Sequence, residues 1–198
     1  MSLYSISVFL HIVGALGLFA GIALEQVGLR GLRRASTVAQ AREWVRVLGG
    51  LRRIDAPSGL TILATGIYMI VSRWGEQAWA GLAILGMVVI AVLGVAVTGR
   101  RAGAIAKELP LDDGPVPQSL RSRLDDSVLP ASASARAAIA LGIVFNMSLK
   151  PSAPLAAAVL LVALAIGVAV GMIRRQTDQG SNPNARIANG AFPVRSKP

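Results

Sequence analysis

The chemistry-bearing residues of this chain are few, and His11 stands first among them. It lies within LYSISVFLHIVGALGLFAGIALE, Leu3 to Glu25, and no formal charge occurs between Ser2 and Leu24. An imidazole exchanges protons near neutral pH and is the commonest protein metal ligand. Tyr4, Ser7, His11, Gly14, Leu18, Gly21 and Glu25 recur at alternating steps of three and four, so they share one helical face. Val8, Phe9, Ile12, Phe19 and Ile22 make the opposite face, which suits lipid. In a helical bundle Tyr68, Ser72 and Asn146 (with Ser148) fall toward the same leaflet, giving a candidate cluster of Tyr4, Ser7, His11, Tyr68, Ser72 and Asn146. Polar groups inside a bilayer are costly and turn to the bundle interior. Such a cluster either lines an outward-opening pocket, with His11 as ligand or proton-exchanging group, or ties helices together by hydrogen bonds of roughly 0.6 kcal/mol each.

The remaining inventory excludes much. There is no cysteine, hence no disulfide, thiolate site or cysteine nucleophile, and one histidine cannot supply the two or three imidazoles of a metal centre. No metal or cofactor is expected. Haem b is the alternative, with His11 as an axial ligand and a second ligand from another chain or another residue type. The adjacent acids Asp112-Asp113 and Asp125-Asp126 point to different sides of a backbone, so neither is a catalytic dyad. Glu25 and Asp55 fall at helix ends beside arginines, where ion pairing or capping is their expected role. GALGLFAG, inside an apolar span, signals close helix packing.

The elements that hold these residues are membrane helices. Of 198 residues, 54% are hydrophobic and 15% charged, where a soluble domain is nearer a quarter charged. The first run is too long for a signal-peptide core and lacks a positive side chain before it, so it reads as a retained helix. Gln26 to Ile54 carries seven arginines against Glu43 alone. There, Ser36 or Thr37 caps a short amphipathic helix, Val38 to Leu48, which ends at Gly49-Gly50 and lies on the membrane surface. No aromatic or groove-reading motif accompanies the arginines, so nucleic acid is not an expected partner. Asp55 reads as the N-cap of a second span with Pro57 in its first turn. Trp74 and Trp79 flank a short turn in the manner of an interfacial belt. A third span presents the small-residue stripe Ala80, Ala83, Met87, Ala91, Gly94 and Thr98. Arg100 to Ala135 reads as a charged, proline-rich connector. The fourth span, with Arg136 near one end where it snorkels, is followed by a turn at Lys150-Pro151 and a fifth span without polar side chains.

The expectation is thus an all-α, polytopic membrane bundle over 1–175. Its spans are about 3–25, 56–73, 80–99, 131–149 and 155–173, and a basic tail, 176–198, has the composition of a disordered segment. If the first span ends inside, eighteen of the twenty lysines and arginines fall inside and only Arg73 and Lys150 outside. The positive-inside rule then places the N-terminus out and the C-terminus in.

Leu10 to Glu25 (LHIVGALGLFAGIALE) and Gly142 to Ser152 (GIVFNMSLKPS) resemble a widespread, functionally uncharacterised family of bacterial integral membrane proteins, domain of unknown function 2269. More distantly, a histidine early in helix one followed by an Ala/Gly-rich turn is similar to the copper-resistance D membrane domain and to the bacterial membrane protoporphyrinogen oxidase. In the latter, such a histidine is implicated in haem binding. These relatives usually present further histidines, aromatic residues or methionines, and here there is one histidine. The resemblances imply a multi-pass protein of the bacterial cytoplasmic (inner) membrane. The expected function is a non-catalytic accessory subunit, embedded in lipid and packed against other membrane subunits or a second copy. A haem- or metal-associated redox protein using His11 and a small-solute transporter or channel are the alternatives.

Overall fold

Each long apolar run forms a helix in the computed structural model, which describes residues 2–75 and 77–180 (for Trp74 and residues 174–180 the backbone alone). Of the described residues 88% are helical and none is in a strand. The elements are α1 Leu3–Arg34, α2 Val38–Met69, α3 Ala78–Val92, α4 Arg100–Glu108, α5 Gln118–Leu124, α6 Val128–Leu149 and α7 Ala153–Gly180. A π-helical turn, Ile70–Trp74, prolongs α2, and another, Leu93–Gly99, joins α3 to α4 without a break. Five helices are long and apolar enough to cross a membrane: Leu3–Arg34, Val38–Arg73, Ala78–Glu108, Gln118–Leu149 and Ala153–Ile173. The expected multi-pass helical bundle is what forms.

Glycines set how the helices meet. On α1, Gly14 faces Ile62, Gly21 faces Asp55 and Gly28 faces Leu48. Each advance of seven residues on α1 is matched by a retreat of seven on α2, which makes the two an antiparallel hairpin in constant register. Without a Cβ, these positions let the partner side chain lie on the α1 backbone. The α6–α7 pair is tighter still: a Cβ at Gly167 would stand 2.6 Å from Ala135 Cα and 2.8 Å from the Ser134 carbonyl oxygen. Gly86 against Ile143, and Thr98 against Ser132, register α3 and its extension antiparallel to α6.

Two hydrophobic cores are stacked along the bundle. One joins Leu18, Ile22, Ile62, Met87, Ile90, Ile139 and Ile143. The other joins Leu29, Leu32, Ala41, Ile105, Leu120, Leu124 and Leu129. The 32 residues of α1 measure about 48 Å, longer than the ~30 Å of bilayer hydrocarbon, and the second core is built on that excess.

Several sequence expectations are corrected here. The stretch Val38 to Leu48 is not a separate surface helix, because α2 runs through Gly49-Gly50, Asp55 and Pro57 to Met69. Glycine in a helix interior costs about 1 kcal/mol and proline about 3. Packing overrides these costs: Trp44 covers Gly31, Leu48 covers Gly28, and Val38 and Ala41 are buried. Asp55 is consequently a mid-helix residue and not an N-cap; the N-cap is Thr37, whose hydroxyl accepts from the Gln40 N–H at 3.3 Å. Nor is 100–135 a mere connector. It forms α4, α5 and the start of α6 and covers the second core. Arg121 donates to the carbonyl oxygens of Arg33 (2.9 Å) and Ala35 (2.8 Å), closing the C-terminal end of α1 with a cation. Arg42 donates to the carbonyls of Pro110 and Leu111 and pairs with Asp113, while Arg101–Asp126 and Arg123–Glu108 pair nearby. On α1, Phe9 and Ile12 are exposed as a lipid face requires, but Ile22 is buried. The helix α7 continues into the segment read as tail as far as Gly180, and residues 181–198 lie outside the described residues.

Candidate functional site

The residues singled out from sequence do not converge on one pocket. His11 Nδ1 lies 3.0 Å from Thr65 Oγ1 on α2. The Thr65 hydroxyl donates to the Thr61 carbonyl at 2.5 Å, so its oxygen is left to accept, and His11 carries its proton on Nδ1. This imidazole is a strut between α1 and α2. It also borders a small cavity of about 290 Å³ with Gly66, Trp79, Met147 and Lys150, level with the ends of α3 and α6. Tyr4 receives the Arg73 guanidinium over its ring, 4.7 Å from the centroid. Ser7 donates to the Leu3 carbonyl one turn back. Tyr68 and Ser72 are exposed. Asn146, fully buried, donates to the Ala156 carbonyl at 3.0 Å and ties α6 to α7.

A different set of residues meets at the junction of the two cores. Glu25 of α1 and Arg136 of α6, 6% and 4% exposed, form a two-pronged ion pair: Nη1 donates to Oε1 at 3.2 Å and Nη2 to Oε2. Bidentate geometry of this kind is the strongest form of charge-assisted hydrogen bond. Arg136 reaches Glu25 across Gly94, where a Cβ would stand 2.9 Å from Nη1. So Arg136 does not snorkel to an interface. Asp55 lies against Gly21, with one carboxylate oxygen, Oδ1, buried and without a hydrogen-bond partner among the described residues. Arg52, one turn before it, lays its guanidinium over Gly99 of the π turn, where a Cβ would be 3.3 Å from Cζ.

The π turn is part of the site. It widens the backbone at Leu93, and the Ser132 hydroxyl lies 3.3 Å from the Leu93 carbonyl and 3.1 Å from Thr98 Oγ1. Single π turns within α-helices occur frequently at functional sites.

These groups line a cleft of about 680 Å³ between α2 and the α3–α4 helix. Its deep end is apolar, with Leu18, Leu63, Met87 and Ile90; its middle holds Glu25, Arg52, Asp55 and Arg136. Leu60 and Val95 stand at the open side, 68% and 69% exposed. Measured from Leu3, Glu25 is about 33 Å along α1, and Gly94 is about 9 Å short of Arg100, the first charge after the third apolar run. The charged group therefore sits near the arginine-rich ends of both apolar runs. Cleft volumes of this order are those of small-molecule sites, largely apolar with a few placed polar groups.

Sequence reasoning missed this site. The available signal was that Glu25 and Arg136 are each a lone charge inside an otherwise uncharged run, and two such charges in one bundle call for each other. No protein-family model, curated protein or solved structure matches this chain.

Proposed function

We propose that this is a non-catalytic accessory protein of the bacterial cytoplasmic membrane, N-terminus outside and C-terminus inside, that holds a membrane-soluble amphiphile in the cleft between α2 and α3. The observation that carries this reading is the cleft itself, with an apolar deep end and charged groups at its middle, open beside the exposed apolar side chains Leu60 and Val95. A molecule with one polar end and one hydrocarbon end matches that gradient. The accessory role draws support from the other polar groups, which serve packing: Arg121 caps α1, Asn146 ties α6 to α7, and His11 braces α1 against α2. The kinship with the uncharacterised membrane-protein family is part of this proposal and supplies no activity. Partners would be lipid and a neighbouring membrane subunit or second copy.

The test is photo-crosslinking with a lipid bearing a diazirine in its acyl chain. Adducts concentrated on Leu63, Met87 and Ala91, and removed by Ala91→Trp, are expected. Adducts spread only over outward residues such as Leu161 and Ile166 of α7 would overturn the reading. A transporter would use the same cleft, and it is distinguished by movement of the labelled lipid between leaflets in proteoliposomes.

A further inference from the structure

The charges at the middle of the cleft are not equivalent, and the difference specifies a headgroup. Glu25 and Arg136 satisfy one another through two hydrogen bonds, so neither charge is left over for a ligand. Arg136 Nε, also buried, adds a donor without a partner among the described residues. The charges left are Asp55, whose Oδ1 packs against Gly21 of α1 without a hydrogen-bond partner among the described residues, and Arg52, whose guanidinium lies over Gly99. They stand three positions apart on one helix, and both border the cleft. A bare anion would suit Arg52 but be repelled by Asp55, and a bare cation would meet the reverse. A group carrying both charges a few bonds apart suits the pair.

Resting on the reading of the cleft as an amphiphile site, we infer that its ligand is an aminophospholipid, a lipid whose headgroup carries a phosphate and a primary ammonium. The phosphate pairs with the Arg52 guanidinium, whose planar fork matches phosphate oxygens. The ammonium supplies three N–H donors, one of which is given to the Asp55 carboxylate where it borders the cleft. An acyl chain runs toward the deep end along Leu60, Leu63, Met87 and Ala91. A quaternary amine has no N–H to donate to the Asp55 carboxylate, and an uncharged glycerol headgroup lacks the cation.

The experiment is native mass spectrometry of the full chain released from nanodiscs. These contain equal parts phosphatidylethanolamine, phosphatidylcholine and phosphatidylglycerol with identical acyl chains. One retained phosphatidylethanolamine, preferred over each competitor by about tenfold, is expected from a charge-assisted hydrogen bond present for one headgroup alone. Asp55→Asn should abolish the preference over phosphatidylcholine, and Arg52→Gln should lower retention of every phospholipid. The wild-type competition needs no variant, so a misfolded mutant does not decide the result. Retention with no headgroup preference, or with phosphatidylglycerol favoured, overturns this inference while the cleft adducts of the crosslinking experiment would still stand. Absence of any retained lipid together with absence of cleft adducts overturns both.

Discussion

Glu25 and Arg136 are 111 positions apart in the chain, yet they form a two-pronged ion pair at the junction of the bundle's two hydrophobic cores. Above the pair on α1 lies Ile22 and below it Leu29, each in a different core. Removing one partner of a buried pair leaves an uncompensated charge in a low-dielectric setting, which costs about 3–5 kcal/mol. Glu25→Ala and Arg136→Ala should each lower stability by that order, read as loss of helicity against denaturant in detergent. The double variant Glu25→Leu/Arg136→Met should recover most of it, since a hydrophobic pair of similar volume carries no desolvation cost. Additive losses in the double variant would show that the two residues act independently.

The glycine contacts make a second prediction, one of opposite signs. At Gly167 a Cβ would meet the α6 backbone, which cannot yield as a side chain can. Gly167→Val should therefore push α6 and α7 apart and destabilise by about 3 kcal/mol, the upper range for overpacking. At Gly81 nothing lies within 4 Å. Gly81→Ala should be neutral or stabilise by about 0.5–1 kcal/mol through the lower backbone entropy of alanine. Equal effects at the two sites, measured by thermal unfolding, would count against the α6–α7 register.

A third concerns His11. As a strut to Thr65 it is replaceable by an amide that donates from a similar place, so His11→Gln should keep the fold and lose about 1 kcal/mol or less. The expected absorption spectrum of the wild-type protein has no Soret band. A visible band in the wild type that vanishes in His11→Gln would instead establish haem ligation.

Topology is directly measurable because the chain has no cysteine of its own. Single cysteines at Gly75 and Ser152 should react with an impermeant maleimide added to intact cells. Those at Gly114 and Gly180 should react only after permeabilisation. External labelling of Gly180 would invert or break the proposed N-out, C-in arrangement.

The sequence by itself determined the class of protein and most of its helices. A span such as Leu155 to Ile173 leaves no choice, since only a helix satisfies every backbone group without water. The 3–4 spacing of Gly14, Leu18, Gly21 and Glu25 likewise named the face of α1 that is buried, because periodicity is a property of one helix alone. Tertiary structure decided the rest. Gly49-Gly50 and Pro57 carry local signals to stop a helix, and those signals were outweighed by burial of Val38, Ala41 and Leu51. No local pattern contains that term. The same holds for the site: Glu25 and Asp55 read as ordinary helix-end acids and Arg136 as a snorkelling cation. What their charges do depends on which helices lie beside one another, and that is fixed only when glycine contacts bring α1 onto α2 and α3 onto α6.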